Sequence, residues 1–385
     1  MNVLILGAGM MGRAIAYDLA QHAAFDHITL TDKNTRTLKD ARVLLKHTTV
    51  DLKPLDITNR TQLHRAFKNA DIAVSAVPYY HNLMLAKTAI QTTTHFIDLG
   101  GNNDIVTDER TLHPQAQKNH VTIIPDSGLA PGLVSIITRD IVETLDTVDT
   151  VTLRVGGLPV HPQPPLNYQL VFSPQGLINE YAEDAIILDH GHIITKPSMT
   201  QLETIRFPPP FGTMEAFLTS GGCSTLPTTY QHKIKYLDYK TIRYPGHCHQ
   251  IKTLLDLGFA DTTPHHIGPT TYVPRDLLIH LLQTHLPTQG DDVVLLKVTG
   301  TGTKNHSPTR LTYTLIDYAD THNHISAMMR TTGYPVAITA SFIQQGLITQ
   351  HGVYCPEEIV PFTPMRTALK QRHIHLHRTM KTLGD

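Results

Sequence analysis

The chain of 385 residues has no tryptophan and only three cysteines, and these shortages limit what kind of protein it can be. Three widely spaced thiols (Cys223, Cys248 and Cys355) cannot form a disulfide framework, so the composition favours a reducing, cytoplasmic location. Apolar runs of membrane-spanning length are missing, and a strand-like segment starts within the first few residues, so we expect neither a membrane anchor nor a signal peptide. The net charge is also close to zero, because 32 basic residues stand against 33 acidic ones. This balance gives no electrostatic reason to expect nucleic acid or an anionic membrane as a partner.

Histidine is abundant, with 25 residues, and several form His-x-His pairs that would share one face of a strand and could hold zinc. The pairs are His190 and His192, His247 and His249, His322 and His324, and the triplet His373, His375 and His377. They are scattered along the chain, and Cys, Asp or Glu partners do not cluster with them to complete a four-ligand site. We therefore expect no metal site.

An apolar run at residues 3–6 leads directly into a G-x-G-x-x-G motif, and a helix-like segment follows it. The first glycine of such a motif permits a tight turn, the second lets the backbone approach a pyrophosphate, and the third lets helix and strand pack closely. The start of the helix offers unpaired N–H groups and the positive end of its dipole to the phosphates. The predicted dinucleotide contacts are Gly7, Gly9, Met10, Met11 and Gly12.

Asp32 lies twenty residues beyond the last glycine of the motif, at the end of a second apolar segment, residues 27–31. A carboxylate at this place would accept hydrogen bonds from both ribose hydroxyls and would repel a 2′-phosphate. The sequence therefore favours NAD over NADP as the cofactor. Lys33 and Arg36 lie close by in the sequence and weaken that preference.

The first 125 residues alternate between strand-like and helix-like segments, which is typical of a parallel sheet with helices on both faces. Strands are expected at residues 3–6, 27–31, 49–54, 71–77, 95–99 and 121–125. Such a sheet binds ligands beyond the carboxyl ends of its strands, so the loops after these segments should contact the cofactor. The further predicted cofactor contacts are Asp56, Ile57, Val77, Pro78, Leu99 and Gly100. Asp56 can equally belong to an ordinary helix start.

From about residue 150 the pattern changes to strands with few helices between them, separated by turns rich in Gly and Pro. We therefore predict an α/β protein in which a Rossmann-type, doubly wound parallel sheet is joined to a second α+β domain with a mixed or antiparallel sheet. The expected domains are an NAD-binding domain (1–125), a substrate-binding and dimerisation domain (126–332), and a C-terminal helix and tail (333–385) that packs back on the first domain. We expect a homodimer through the second sheet, because exposed sheet edges tend to be covered.

Several ordered blocks go beyond a generic two-domain dehydrogenase. They are GLAPG at residues 128–132, GGLP at 156–159, PLNY at 165–168, FSPQGLINEY at 172–181 and TIRY at 241–244. Together they resemble the saccharopine dehydrogenase family, and the resemblance runs through both halves of the chain. It implies a dehydrogenase that acts on an amino acid with a nicotinamide cofactor.

One branch of that family matches better than the others. Saccharopine reductases carry an acidic residue where this chain has Ala130, before Pro131 and Gly132. Blocks within residues 212–227 and 239–247, and the short chain, are similar to the lysine 6-dehydrogenase branch. This resemblance implies NAD-dependent oxidative deamination of the ε-amine of L-lysine. The products would be ammonia, NADH and aminoadipate semialdehyde, which cyclises to piperideine carboxylate.

The oxidation requires an unprotonated amine, and a free lysine ε-amine has a pKa of about 10.4. The site must therefore desolvate the amine or supply a base. Asp126, which follows the last parallel strand, and His247, in a Pro-Gly-His turn, are the candidate catalytic residues. Asp126 can equally be a turn-capping carboxylate and His247 an ordinary loop histidine.

An amino-acid substrate also needs a partner for its carboxylate. The resemblance implies that Arg243 is the family's substrate arginine, and a guanidinium can hold a carboxylate with two hydrogen bonds. A surface ion pair is the alternative for this residue. Tyr79, which follows the proline after the fourth strand, and the loop residues Asn167 and Tyr168 are the other predicted substrate contacts. Glu180 can pair with an amine or be a surface acid of a helix.

Two other functions stay open on the sequence. The first is a reductase of the same family that acts on saccharopine or carboxynorspermidine. The second is a protein that binds NAD without turnover, as a nucleotide sensor or scaffold would.

Overall fold

The computed structural model describes residues 1–288 and 290–383, and it divides into two compact units. The Rossmann unit comprises Met1–Glu143, Asp320–Ile325 and Met329–Leu376. The second unit comprises Thr144–Ala319, Ser326–Met328 and the segment that begins at His377. Our expected boundaries lie after residues 125 and 332, whereas the chain changes unit after residues 143, 319, 325, 328 and 376. The last of these changes arises because the final strand pairs with the second sheet.

The first part of the chain forms alternating strands and helices. They are β1 (Asn2–Leu6), α1 (Met10–His22), β2 (His27–Asp32), α2 (Thr35–Leu44), β3 (Asp51–Pro54), α3 (Arg60–Lys68), β4 (Ile72–Ser75), α4 (Asn82–Thr92), β5 (His95–Asp98), α5 (Asn103–Arg110), α6 (His113–Lys118), β6 (Thr122–Ile124) and α7 (Leu133–Thr144). All six expected strands are present, with small differences at their ends.

The rest of the chain is richer in strands. Its elements are β7 (Thr147–Pro159), α8 (Pro174–Ala182), β8 (Ala185–Asp189), β9 (His192–Lys196), β10 (Glu203–Arg206), β11 (Thr213–Leu218), α9 (Leu226–Tyr230), β12 (Ile234–Arg243), α10 (His247–Asp256), β13 (His265–Ile267), β14 (Thr270–Tyr272), α11 (Pro274–His285), β15 (Asp292–Lys304), β16 (Ser307–Tyr318), α12 (Ala327–Gln344), β17 (Gly352–Val353), α13 (Pro356–Ile359), α14 (Phe362–Gln371) and β18 (His377–Thr382).

Helix α12 is longer than the sequence pattern predicts. Within the expected C-terminal segment, the pattern of residues 334–345, with Gly346 just after them, predicts a helix, but α12 begins at Ala327 and continues through Pro335. The carboxylate of Asp292 accepts hydrogen bonds from the backbone N–H groups of Ala327 and Met328, at 2.6 and 3.0 Å. This acid satisfies two of the N–H groups that a helix start leaves unpaired. Asp292 belongs to a strand that is distant in the sequence, so no local sequence signal indicates that the helix starts earlier.

The Rossmann unit contains a seven-stranded sheet in the order β17-β6-β5-β4-β1-β2-β3, and its strand pairs are parallel. The order reverses between β1 and β4, and ligands of such sheets bind in the crevice that this reversal opens at the carboxyl ends. Ile5, Leu6 and Val74 are fully buried, as central strands covered on both faces should be. Across the described residues, we find no helix with the length and apolar character needed to cross a membrane.

The second unit contains a nine-stranded sheet with the main order β10-β11-β12-β7-β15-β16-β18, and β8 joins β12 to β9. Only the pair β12 and β7 is parallel, so the sheet is mixed as expected. Tyr181, Phe217, Ile251 and Leu282 belong to a hydrophobic cluster between this sheet and helices α8, α10 and α11. Every residue of the edge strand β18 is exposed. The homodimer through this sheet stays a prediction.

Candidate active site

The glycine motif forms a cradle at the carboxyl end of β1. Gly7 has a φ of 97°, and a Cβ there would lie 2.6 Å from the Ala76 carbonyl oxygen. A Cβ on Gly12 would lie 1.8 Å from the Gly7 carbonyl oxygen, so helix α1 can approach the turn only because both residues are glycine. A Cβ on Gly9 would meet nothing within 4 Å, which leaves open space where a phosphate group would approach.

The start of α1 is built to receive an anion. Gly9 is its N-cap, so no side chain occupies the first N–H groups, and the first turn, with Met10 and Met11, carries no acidic residue. Free N–H groups and the positive end of the helix dipole then face the glycine turn. These features fit the diphosphate of a dinucleotide.

Asp32 ends β2 with its carboxylate held by the backbone. Its Oδ2 accepts a hydrogen bond from the Ala8 N–H at 2.9 Å, and its Oδ1 accepts one from the Asn34 N–H at 2.8 Å. The first of these bonds connects Asp32 to the glycine motif. Each oxygen keeps a lone pair with which to accept a further bond from a ribose hydroxyl.

The structure brings the other predicted cofactor contacts to the same sheet edge, after β3, β4 and β5. Asp56 is exposed, and its carboxylate accepts bonds from both the N–H and the hydroxyl of Thr58, which lower its pKa. The Ile57 side chain is buried in the hydrophobic core, so contact with a ligand is left to its backbone. Val77, Pro78, Leu99 and Gly100 all lie in the loops at this edge.

Three carboxyl groups are buried behind this edge: Asp98, Glu109 and Asp126 are 0%, 0% and 2% exposed. Asp98 Oδ1 accepts hydrogen bonds from the N–H groups of Gly100 at 2.7 Å and Asp126 at 3.3 Å. Asp126 has a φ of 58°, in the left-handed region that few non-glycine residues adopt. A Cβ on Gly100 would lie 1.7 Å from Asp126 Oδ1, so Gly100 makes room for this carboxylate.

Glu109 holds a proton within this group. Burial, and then the charges of Asp98 and Asp126, raise its pKa well above the usual range. Both Glu109 oxygens and Asp98 Oδ2 have no conventional donor among the described residues. A proton on Glu109 that is donated to Asp98 satisfies this pair, because a protonated carboxyl is itself a donor. Asp98 and Asp126 therefore lie near a neutral acid rather than a third negative charge.

Tyr79 lies in the short 3-10 turn Tyr79–His81 after β4. Its ring packs against Gly101, where a Cβ would approach the ring to 3.3 Å. This contact places the tyrosine beside the loop that follows β5. Its role toward a substrate stays a prediction.

In the second unit, Arg243 is the last residue of β12 and is only 2% exposed. Its Nε donates a hydrogen bond to the Tyr181 hydroxyl at 2.8 Å, and its Nη1 donates one to the Ile242 carbonyl at 2.9 Å. Its guanidinium lies 4.8 Å from the centre of the Tyr168 ring, close enough for a cation–π contact. Within the described part of the chain, no carboxylate forms an ion pair with Arg243. The surface ion pair considered on the sequence is therefore not what this residue forms.

A series of hydrogen bonds, here called the relay, connects the Leu166 carbonyl through His247 and Tyr181 to the Arg243 guanidinium. His247 Nδ1 lies 3.1 Å from the Leu166 carbonyl, which can only accept, so this nitrogen carries the proton. His247 Nε2 then accepts from the Tyr181 hydroxyl at 3.1 Å, and the Tyr181 oxygen accepts from Arg243. The relay fixes the direction of every bond and locks the guanidinium in place.

The surroundings keep His247 neutral. It is 1% exposed, and burial together with the charge of Arg243 lowers its pKa to about 3. Glu215 fixes its position, because the carboxylate accepts bonds from the N–H groups of Gly246 at 2.8 Å and Cys248 at 2.6 Å at the start of α10. With both ring nitrogens bonded, the geometry favours a positioning role for His247 over that of a base.

Tyr168 and Asn167 lie beside the arginine in different ways. Tyr168 is 1% exposed, and its hydroxyl has no hydrogen-bond partner among the residues described. Burial raises its pKa to about 12, so it stays a neutral donor. Asn167 is half-buried and has a φ of 50°.

Sequence reasoning missed several residues of these sites. In the sequence, Glu109 and Glu215 look like ordinary acids of a helix and a strand. Only the structure reveals that both are buried. Tyr181 stands in the FSPQGLINEY block, which was a signal that could have identified it. No group of three or more His, Cys, Asp or Glu residues with the arrangement of a metal site occurs in residues 1–288 and 290–383.

Two protein-family models match almost the whole chain. The saccharopine dehydrogenase NADP binding domain matches residues 3–124, and the saccharopine dehydrogenase C-terminal domain matches residues 128–374. Among curated proteins, the NADP(+)-dependent, L-glutamate-forming saccharopine dehydrogenase of Saccharomyces cerevisiae is 24% identical over 452 aligned positions, which cover 97% of each chain. The alignment is longer than this chain of 385 residues, so the yeast enzyme contains segments that this chain lacks.

Solved structures share the fold. The apo saccharopine dehydrogenase (L-Glu forming) from Saccharomyces cerevisiae has a TM-score of 0.81 at 21% identity and covers 99% of this chain and 100% of its own. The homospermidine synthase from Legionella pneumophila in complex with NAD has a TM-score of 0.69 at 15% identity, with coverage of 99% and 91%. With the glycine cradle and the family models, the chain belongs to the saccharopine dehydrogenase family and is an NAD(P)-dependent oxidoreductase that acts on amino compounds.

Proposed function

We propose that the protein is an NAD-dependent lysine 6-dehydrogenase, which oxidatively deaminates the ε-amine of L-lysine. The observation that carries this proposal is the buried guanidinium of Arg243, which is held by Tyr181 and has no carboxylate within ion-pair distance among the described residues. A buried cation without a counter-charge is costly, so the site favours a ligand that supplies one. The carboxylate of an amino acid meets that need.

Lysine is favoured over saccharopine for two reasons. Ala130 stands where saccharopine reductases carry an acid, so this chain lacks one charge for the larger substrate. The yeast saccharopine dehydrogenase also contains segments that are missing here. Both features support a smaller amino-acid substrate.

The chemistry needs a base, and we assign that role to Asp126. Its carboxylate would take one proton from the ε-ammonium, which leaves an amine whose lone pair expels the electrons of the adjacent C–H bond. When bound, the oxidised nicotinamide takes up that electron pair and the hydrogen. Water then adds to the resulting iminium carbon and ammonia leaves, so lysine, water and NAD⁺ yield the semialdehyde, ammonium, NADH and one proton.

NAD is proposed as the preferred cofactor because of Asp32. Its negative charge ends β2 beside the glycine cradle, where a 2′-phosphate would be repelled. We expect Asp32→Ala to weaken NAD binding and to improve NADP binding, because the substitution removes both the ribose acceptor and the repulsion. Calorimetric titration with each cofactor measures this change. If both affinities stay as in the wild type, Asp32 does not select the cofactor.

The full-length protein is assayed with NAD or NADP and L-lysine, and reduced cofactor is followed by its absorbance. Lysine-dependent reduction that is absent with L-ornithine or L-glutamate is the expected result. A protein that binds the cofactor but oxidises no amine would contradict the proposal and would leave the binding-only function.

The likeness to a full-length saccharopine dehydrogenase supports a second candidate, a glutamate-forming saccharopine dehydrogenase. Aminoadipate semialdehyde, L-glutamate and reduced cofactor test it in the reverse direction. Turnover of this mixture, without activity on lysine, would favour saccharopine as the substrate.

A further inference from the structure

We propose that Glu180 and Arg243 together bind the head group of a free α-amino acid, with the carboxylate at Arg243 and the α-ammonium at Glu180. This inference rests on the proposed function in so far as it concerns the same substrate, and it adds which part of that substrate the second unit recognises. It places the α-ammonium, rather than the reacting amine, at Glu180.

The first observation is that the two opposite charges share one environment. Glu180 precedes Tyr181 in α8, and the Tyr181 hydroxyl accepts a bond from Arg243. The charges of Glu180 and Arg243 act on the same three phenols, those of Tyr168, Tyr181 and Tyr239. The two charges therefore face one cluster of tyrosines.

The second observation is that these charges do not meet. Within residues 1–288 and 290–383, no ion pair of 4.0 Å or less joins Glu180 to Arg243, and the Glu180 carboxylate accepts no hydrogen bond. Opposite charges in a medium of low dielectric attract strongly, so they pair unless the structure holds them apart. A ligand that carries both charges would supply the missing partner of each.

Both partners are held where they are. The relay through Tyr181 and His247 fixes Arg243. The backbone holds Glu180, because its carbonyl accepts the Ser220 N–H at 2.9 Å and its helix is capped by Ser173. Arg243 therefore cannot move toward Glu180 without breaking hydrogen bonds.

Glu180 also needs a cation. Its side chain is half-buried, and burial raises its pKa to about 7 even though the charge of Arg243 opposes that shift. An ammonium ion at Glu180 would stabilise the carboxylate. The free hydroxyl of Tyr168 adds a donor for the other half of the head group. An α-amino acid carries a carboxylate and an ammonium on one carbon. Its carboxylate can accept hydrogen bonds from Arg243 and Tyr168, and its ammonium can donate to Glu180.

Two ligands that lack the reacting ε-amine test whether the protein recognises the head group by itself. L-norleucine has the α-amino-acid head and an apolar side chain, and hexanoate is the same acid without the α-ammonium. We expect the full-length protein, saturated with NADH, to bind L-norleucine about 10- to 100-fold more tightly than hexanoate, as hydrogen bonds to charged groups allow. Calorimetry measures both dissociation constants.

The matched variant is Glu180→Gln, which keeps the shape and removes the charge. Its affinity for L-norleucine should fall about 10-fold or more, while its affinity for hexanoate stays as in the wild type. Glu183→Gln is the control, because Glu183 is an exposed acid just after the same helix. We expect this control to bind both ligands as the wild type does.

Equal losses for both ligands in Glu180→Gln would overturn the inference, because they would indicate a structural role. Wild-type protein that does not distinguish the two ligands would overturn it as well, and this measurement needs no folded variant. The proposed function fails separately. If the protein does not oxidise lysine but its binding of L-norleucine depends on Glu180, the head-group site stands and the reaction must be reassigned.

Discussion

Two buried arginines on neighbouring strands of the second sheet differ in how their charge is compensated. Arg154, on β7, donates to Glu203 at 2.5 Å and to both oxygens of Asp238 at 2.7 and 3.0 Å. Arg243, on the adjacent β12, donates to a phenol and a carbonyl and to no carboxylate of the described residues. The first charge forms ion pairs with carboxylates, whereas the second has no carboxylate within ion-pair distance among the described residues. A buried cation therefore indicates function only when its counter-charge is missing.

The compensated arginine belongs to a network that extends along the sheet. Lys240 donates to Glu203 at 2.7 Å, and the Tyr236 hydroxyl donates to Asp238 at 3.1 Å. Every charged member has at least one oppositely charged partner. The network therefore serves the architecture of the sheet, and the same substitution at each arginine tests the difference.

The largest effect on stability is expected from Arg154→Met. Loss of the guanidinium leaves Asp238, which is fully buried, without its closest counter-charge. Removal of one partner from a buried ion pair costs about 3–5 kcal/mol, so the free energy of unfolding should fall by that amount. Urea unfolding measures it. A variant as stable as the wild type would mean that the network contributes nothing.

Arg243→Met is the matched change at the uncompensated arginine. We expect the KM for the amino-acid substrate to rise about 100-fold or more, because a charge-assisted contact to the carboxylate is lost. The free energy of unfolding should change far less than in Arg154→Met, since no carboxylate is left unpaired. Steady-state kinetics and urea unfolding of both variants give the two readouts. NADH affinity should stay as in the wild type, and an unchanged KM would remove Arg243 from the site.

A smaller effect is expected from His247→Phe, which keeps an aromatic ring beside Phe217 but removes the acceptor for Tyr181. If His247 only positions Arg243, KM should rise about 10-fold, the equivalent of one hydrogen bond, while kcat changes little. The pH profile of kcat should keep its shape, because a pKa of about 3 leaves His247 neutral throughout the working range.

The same kinetics separate a base from a positioning residue. A general base contributes about 10²–10⁴-fold to the rate, so Asp126→Asn should lower kcat by such a factor. A loss of that size in His247→Phe, together with the loss of one limb of the pH profile, would instead identify His247 as the base.

The last prediction concerns Glu109, a buried acid of the Rossmann unit that forms no ion pair among the described residues. Its pKa is raised, so the folded protein keeps a proton that the unfolded chain releases above about pH 4.3. The contribution of Glu109 to stability is therefore full below that pH and falls as pH rises toward its folded-state pKa. Glu109→Gln has no such proton to lose, and its amide can still donate to Asp98.

We expect Glu109→Gln to match the wild type near pH 4 and to be more stable by about 1–3 kcal/mol at pH 8. Thermal unfolding at both pH values measures this difference. Asp108→Asn is the control, because Asp108 is an exposed acid of the same helix whose side chain forms no ion pair among the described residues, and the substitution should not reproduce this difference. A constant difference between Glu109→Gln and the wild type at both pH values would contradict the assigned protonation.

The fold was largely accessible from the sequence, because its signals are local. Six of the seven strands of the first sheet follow from apolar runs and the residues that end them. The start of α12 was not accessible, because its cap, Asp292, comes from another strand. The pairing of β17 and β18 with distant strands has the same cause.

The candidate sites divide in a similar way. The glycine cradle and Asp32 were recognisable, since their residue types and spacing are required by the backbone turn and by the approach of a helix. The partners of Arg243 were not, because Tyr181 and His247 reach it from two different helices. The neutral state of His247 also depends on burial, which no spacing reveals.

The amino-acid sequence by itself determined the α/β fold, the position of the dinucleotide cradle and the family, because each depends on residue types at short, regular spacing. Only the tertiary structure decided which buried charges form ion pairs and which have no ion-pair partner among the described residues. That distinction depends on distances between side chains far apart in the chain, and on the low dielectric that makes each unpaired charge costly.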